Sequence, residues 1–196
     1  MRDKYTFREI SLCKDPFLTI LTRHVRDSRI LLFDKCMKSI YAMTSNDFQH
    51  VLIQAPRAYG FEEANRSFGY VTEMIKGKYV LLLDDDDIIL NRNLLVDVRR
   101  EASMHGSPDV ILFKCLINEK IYPLRTVWEK TPRVGHIGGS CFVTRTDIFI
   151  ENIHTFTKPR CGDFSFIQTL FDKQCTRRWL DKVMIKTLQV GRGIIN

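Results

Sequence analysis

No Cys-x-x-Cys pair occurs among the six cysteines, Cys13, Cys36, Cys115, Cys141, Cys161 and Cys175, which argues against a zinc ribbon or a dithiol redox motif. Cys115 follows Val110-Ile111-Leu112-Phe113-Lys114 and Cys141 precedes Phe142-Val143, apolar settings in which a thiol acts as a small hydrophobe. Reduced thiols of that kind suit a cytoplasmic location. No apolar run approaches a bilayer's thickness, so no transmembrane segment is expected. The charged start Met1-Arg2-Asp3-Lys4 has no apolar stretch behind it, and no secretory signal is expected. A Pro-, Gly- or Ser-rich linker is missing as well, which implies a single domain over 1–196.

Basic residues are in excess, 30 against 23 acidic, for a net charge of +7, yet no Lys/Arg block of the nucleic-acid-arm type exists. Arg23, Arg26 and Arg29, like Arg99 and Arg100, read equally well as solvated faces. The surface attracts anions such as nucleotides, and a nucleic-acid partner is not expected. A basic binding module with a structural aspartate cluster is the non-enzymatic alternative. It would need a continuous basic stripe with interleaved aromatics.

What the chain does have is a strand-like run, Tyr79-Val80-Leu81-Leu82-Leu83, that delivers four consecutive carboxylates, Asp84 to Asp87. At an effective dielectric near 20, two carboxylates about 6 Å apart repel by roughly 3 kcal/mol. Such a cluster therefore needs a metal, basic partners or full solvation. Hard divalent cations take oxygen ligands, and Mg²⁺ typically accepts one or two carboxylates plus substrate phosphates. The plainer reading is a polar turn with Asp87 or a neighbour as the N-cap of a helix before Leu94 and Leu95. Turn chemistry, however, calls for one or two such residues rather than four.

Periodicity around this run alternates strand and helix. Strands are expected at 17–21, 48–54 and 78–83, a polar loop at 22–28, and helices from Ile30 to Tyr41 and from Glu62 to Lys76. That order implies βαβ units and a mainly parallel central sheet flanked by helices, an α/β class. A helix over 94–104 and a strand from Asp109 follow, broken by Gly106-Ser107-Pro108. The second half is less regular, with short strands near Ile121 and at 140–144, a helix over 163–173 and a strand over 182–188. Its stretch Gly135-His136-Ile137-Gly138-Gly139 could admit close backbone approach to a ligand, or be a mere loop.

Three segments resemble the GT-A (Rossmann-like) glycosyltransferases, most similarly the large inverting family usually numbered two. Phe17-Leu18-Thr19-Ile20-Leu21-Thr22-Arg23 resembles the opening strand that receives the nucleotide. Gly69 to Asp87 resembles the helix, Gly-x-Tyr strand and Asp-x-Asp motif in register. Gly162-Asp163-Phe164-Ser165-Phe166 with Arg177-Arg178-Trp179-Leu180-Asp181-Lys182-Val183 resembles the acidic helix start and following strand. The likeness covers roughly 16–190, with a nucleotide-sugar-binding half (about 16–110) and a smaller mixed acceptor-binding half (about 111–190). Its small size also resembles stand-alone cytosolic transferases, including those of large DNA viruses.

The resemblance implies transfer of a sugar from a nucleoside diphosphate sugar, UDP favoured and GDP possible, to a hydroxyl of a glycan or glycoprotein, with inversion. It implies Mn²⁺ or Mg²⁺ held by Asp86 with Asp84, nucleotide contacts from Thr22, Arg23, Asp84, Asp85 and Arg192, and Asp163 as general base. Asn65 and Arg66 could reach the donor, and Trp128 and His136 the acceptor, or each could be ordinary packing or surface. A helix-start Asp163 would be kept ionised by the helix dipole and so be a mild base, and the same place suits a plain N-cap. Two positions depart from the family: Gln54-Ala55-Pro56 follows Ile53 where an Asp usually helps hold uracil, and Gly162 stands where a Glu is usual. A nucleotidyltransferase making sugar nucleotides is the enzymatic alternative, but it opens on a Gly-rich phosphate loop, and Thr22-Arg23-His24-Val25-Arg26-Asp27-Ser28 contains no glycine.

Overall fold

The computed structural model describes residues 4–26, 29–157 and 161–188. In chain order the strands and helices are β1 (Thr6–Ser11), β2 (Leu18–Val25), α1 (Ile30–Tyr41), β3 (Phe48–Ala55), α2 (Phe61–Arg66), β4 (Tyr79–Leu82), β5 (Asp87–Ile89), α3 (Leu94–Met104), β6 (Val110–Ile117), β7 (Lys120–Tyr122), β8 (Phe142–Arg145), α4 (Thr146–Asn152), α5 (Gly162–Asp172) and β9 (Arg177–Thr187). The alternating first half matches the sequence expectation, and the 94–104 helix matches α3.

Among the described residues nine strands form one sheet in the order β1-β3-β2-β4-β8-β6-β9-β5, with β7 added on β6. The expected mainly parallel sheet is corrected to a mixed one. Only β2 with β3, β2 with β4 and β6 with β9 run parallel, and the other five pairings are antiparallel. The cause is topological: β8 returns between β4 and β6, and β1 adds an antiparallel edge to β3. β1 carries no readable alternation because all but one of its residues are exposed.

The central strands are continuous hydrophobic runs because both faces are covered. Tyr79, Val80, Leu81, Leu82 and Leu83 are all buried, as are Leu18, Ile20 and Leu21 beside them. Each such side chain stabilises the fold by about 1.5–3 kcal/mol. Gly77 is required at the entry to β4, because a Cβ there would lie 2.4 Å from the Thr19 backbone nitrogen.

Two boundaries differ from the periodicity. β2 runs through to Val25 where a polar loop was expected, since Thr22 to Val25 pair with Leu52 to Ala55 of β3. The expected helix over 62–76 breaks after Arg66 into a 3-10 stretch, Ser67–Met74. Ser67 and Thr72 hydroxyls donate to the carbonyls of Ala64 and Gly69 there, a local bonding choice that competes with the α-helix.

Polar residues inside this core are in part satisfied, although Thr144 Oγ1 and Asn152 Oδ1 are buried without a hydrogen-bond partner among the described residues. His50 is fully buried, its Nε2 lies 3.0 Å from the Thr22 hydroxyl and its Nδ1 3.2 Å from the Tyr41 hydroxyl. Burial pushes its pKa down to about 4. With an unfolded value near 6.5, the unfolded chain binds the proton first as pH falls, so stability drops between about pH 6.5 and 4 by roughly 3 kcal/mol. Urea unfolding of wild type and His50→Gln across pH 4–7 should show a steeper decline in the wild type within that window. Parallel curves would refute the assignment.

Candidate active site

Beyond β4 the chain turns at once. The Asp87 amide donates to the Asp84 carbonyl at 2.9 Å, and the Asp84 amide donates to Asp87 Oδ2 at 3.4 Å. The Leu188 amide donates to the Asp86 carbonyl at 3.2 Å, tying the turn to the end of β9. Asp87 therefore begins β5 and does not cap α3, whose N-terminus is Asn93. Asp85, Asp86 and Asp87 are buried, and only Asp84 is substantially open to solvent.

The repulsion within this group is met by basic partners. Arg23 Nε and Nη2 donate to Asp84 Oδ1 at 2.9 and 2.7 Å. Its Nη1 donates to Asn65 Oδ1 at 2.8 Å, and the guanidinium lies 4.4 Å from the centre of the Phe68 ring. His24 Nδ1 sits 2.8 Å from Asp85 Oδ2, with its ring stacked on Phe33 at 3.9 Å. Arg29 Nη1 donates to Asp86 Oδ2 at 2.9 Å and stands 3.5 Å from Asp85 Oδ1. Arg29 thus lines the cavity, although from the sequence it read equally well as a solvated face.

Burial raises the pKa of Asp85, against the opposing effect of His24 and Arg29. Asp87 is pushed up to about 8, first by burial and then by the charge of Asp84, with the hydroxyls of Thr187 and Ser140 opposing the rise. Near neutral pH Asp87 is therefore largely protonated, and the turn carries fewer charges than its four carboxyls suggest.

Beside the turn lies a cavity of about 440 Å³ at the carboxyl ends of the parallel trio β3-β2-β4, where open α/β sheets bind their ligands. Its lining is mixed: Arg23, Arg29, Asp84, Asp85 and Asp86 supply charge, and Tyr5, Tyr59, Ile53 and Ala55, with Arg57, supply aromatic and apolar surface. The Tyr5 and Tyr59 ring centres are 5.8 Å apart, and the Arg57 guanidinium lies 5.4 Å from the Tyr59 ring. Periodicity gave no signal for Tyr5, which enters from just before the exposed edge strand β1, or for His24, which lay in the expected loop.

The other expected site residues are scattered. Thr22 is wholly buried, its hydroxyl is taken by His50, and it is not among the residues that line the cavity. Asn65 anchors Arg23, whereas Arg66 pairs along its own helix with Glu62. Arg192 lies outside the described residues. Trp128 packs edge-on against Trp179 at 4.8 Å, with the Lys114 ammonium 4.8 Å from its ring centre. The His136 ring lies 6.1 Å from that of Tyr122.

Asp163 stands on the first turn of α5, whose N-cap is Cys161 in the left-handed region, so the plain N-cap reading is not what the chain adopts. The Phe164 amide donates to Asp163 Oδ1 at 2.8 Å. A Cβ on Gly138 or Gly139 would lie 3.8 Å from Asp163, so the glycine stretch brings backbone close to this carboxyl. Burial raises the Asp163 pKa, outweighing the amide, and the charges of Asp84 and Arg23 act on it as well. The dipole effect expected to keep Asp163 ionised is thus outweighed by its burial.

Gly162 has a steric reason. A Cβ there would lie 2.3 Å from the Phe156 carbonyl oxygen and 2.6 Å from Asn65 Nδ2. The close approach of α5 to Phe156 leaves no room for any side chain.

Among the described residues no group of three or more His, Cys, Asp or Glu side chains is arranged to hold an ion unaided. The donor set nevertheless suits a hard cation completed by substrate phosphates, because Asp84 and Asp86 bring carboxylate oxygens from one turn to one cavity wall. Both Arg23 bonds fall on a single oxygen of Asp84.

No protein-family model and no curated protein sequence matches the chain. Its fold does match solved structures. S. aureus TarS 1-349 in complex with UDP aligns at a TM-score of 0.67 and 13% identity, covering 87% of this chain and 60% of that one. The mannosyltransferase PcManGT from Pyrobaculum calidifontis, in complex with GDP-Man and Mn²⁺, aligns at 0.65 and 12%, covering 93% and 60%. A197 from STIV aligns at 0.51 and 16%, covering 84% and 81%. The chain thus shares its fold with these proteins and spans about 60% of the length of the first two. No described helix is long and apolar enough to cross a membrane.

The Gly162 contact yields a direct test. Gly162→Ala should lower stability by about 1–3 kcal/mol through overpacking, read as a fall in thermal midpoint. An unchanged midpoint would show that α5 shifts freely away from Phe156.

Proposed function

We propose that the protein transfers a sugar from a nucleoside diphosphate sugar, UDP-linked or GDP-linked, to an acceptor hydroxyl on a glycan or glycoprotein, with inversion and with a divalent metal. The observation that carries this reading is one cavity, at the carboxyl ends of β3, β2 and β4, lined by an acid-and-arginine cluster together with aromatic and apolar side chains. Diphosphate and base have opposite solvation needs, and the lining offers both kinds of surface. The likeness in fold to TarS solved with UDP-GlcNAc and to PcManGT solved with GDP-Man and Mn²⁺ supports the reading.

Each side chain then has a task. Tyr5 and Tyr59 form the apolar wall for the base, and Arg57 is placed to donate to its acceptor edge. Asp86, with Asp84, would hold Mn²⁺ or Mg²⁺, whose chemistry is to stabilise negative charge on the departing diphosphate. Asp85, held by His24, fixes the turn from below. Arg23 clamps Asp84 and, through Asn65, links the turn to the start of α5.

Asp163 is the proposed general base. It takes the acceptor hydroxyl's proton as that oxygen bonds to the anomeric carbon, on the face opposite the leaving group. The bond from that carbon to the diphosphate oxygen breaks, and its electron pair leaves with the nucleoside diphosphate. The raised pKa favours proton capture over a residue held strongly acidic. Gln54-Ala55-Pro56 follows Ile53 where the resembled family has an Asp, so uracil has no carboxylate there to select it, in keeping with a donor that is either UDP- or GDP-linked.

Two outcomes test the reading. A saturating UDP- or GDP-sugar, at about 100 times its Kd, should stabilise the wild type by roughly 2.7 kcal/mol only when Mn²⁺ is present, and not at all in Asp86→Ala. Stabilisation that ignores both metal and Asp86 would contradict it. Asp163→Asn should lower transfer by about 10²- to 10⁴-fold while leaving nucleotide affinity unchanged. Retained transfer would remove Asp163 from the mechanism.

A further inference from the structure

Arg29 opens α1 at φ 49°, a region that residues other than glycine rarely occupy. From there its guanidinium lies against Asp86 at 2.9 Å and Asp85 at 3.5 Å. The side chain remains one-third exposed and lines the cavity. Its charge sits where a metal held by Asp86 would need that carboxylate, whereas Asp85 keeps His24 as a separate partner. Resting on the metal-dependent reading above, we propose that Arg29 is the resident cation of the donor-free cluster. Mn²⁺ or Mg²⁺ displaces its guanidinium from Asp86, and the released guanidinium pairs with the diphosphate of the donor.

The physical basis is exchange of equivalent partners. A guanidinium and a divalent ion compete for Asp86 Oδ2, and both cannot occupy that one oxygen. A guanidinium released at the cavity wall finds in a diphosphate the bidentate anion that its planar fork matches. Metal alone therefore binds against a competitor, and diphosphate relieves that competition by offering Arg29 a second anion. Metal and nucleotide should bind cooperatively, and by linkage each should strengthen the other equally.

The test is titration calorimetry, with electron spin resonance of free Mn²⁺ as a second readout, on wild type, Arg29→Gln and the double variant Arg29→Gln with Asp86→Asn. Arg29→Gln should bind Mn²⁺ alone roughly tenfold more tightly than wild type, since a charge-assisted bond is removed from the ligand. With Mn²⁺ saturating, UDP and GDP should bind Arg29→Gln roughly tenfold more weakly, and the cooperativity should shrink. The double variant should lose the tightened Mn²⁺ site. If Arg29→Gln does not fold, Arg29→Met keeps the stem without the charge and repeats the comparison.

Unchanged Mn²⁺ affinity in Arg29→Gln, alongside Asp86-dependent Mn²⁺ and nucleotide binding in wild type, overturns the role of Arg29 and leaves the proposed function standing. Tightened Mn²⁺ binding that survives Asp86→Asn also overturns it, because the ion then sits elsewhere. Absence of Asp86-dependent Mn²⁺ binding in every variant, with or without UDP or GDP, overturns the metal-dependent function itself.

Discussion

Four carboxyls in one turn at the end of a buried strand set the terms for the rest of this molecule. Each close pair of ionised carboxylates costs roughly 3 kcal/mol at an effective dielectric near 20. The chain brings charged and hydrogen-bonding partners to the turn from two directions. Arg23 and His24 come from the adjacent parallel strand β2, and Arg29 comes from the start of the helix that follows it. The fourth carboxyl, Asp87, is buried and largely protonated, so it adds little repulsion.

This arrangement links fold to chemistry. The parallel trio β3-β2-β4 delivers Ala55, Arg23 and Asp84 to the cavity at its carboxyl ends, with β4 stopping at Leu82 opposite Leu21 while β2 and β3 run on together to Val25 and Ala55. Antiparallel β8 and parallel β9 extend the sheet on the other side, and Gly139 packs between Leu82 and Asp163. Asp163 thereby sits close enough to Asp84 and Arg23 to feel both charges. The carboxyl proposed to take a proton and the carboxylates proposed to serve the diphosphate belong to one electrostatic unit.

Much of the core was legible from residue pattern. Runs such as Tyr79 to Leu83 are apolar on both faces, so their strands announce themselves, and the aspartates behind them mark the site. The helix after Asn93 follows its apolar spacing closely. What could not be read is whatever depends on distant pairing. β1 is mostly exposed and becomes a strand only because β3 offers an edge; α4 is short and lacked a periodic signal; and β8 runs antiparallel for reasons of topology. Site chemistry divides the same way. Asp84 to Asp86 and Arg23 stood out from local sequence, while His24, Arg29, Tyr5 and Tyr59 enter through tertiary placement. Thr22 looked available at a strand end, but the strand continued past it and buried its hydroxyl on His50.

The central claim is that the Asp84–Asp86 turn receives a metal that in turn holds a diphosphate. The most direct measurement is an anomalous difference map from crystals grown with Mn²⁺ and a UDP- or GDP-linked sugar. The account predicts a manganese peak within coordination distance of an Asp86 oxygen, bridged to diphosphate oxygens, with the base beside Tyr5 and Tyr59. Nucleotide bound in the cavity with no peak there, and Asp86 still paired with Arg29, would contradict it.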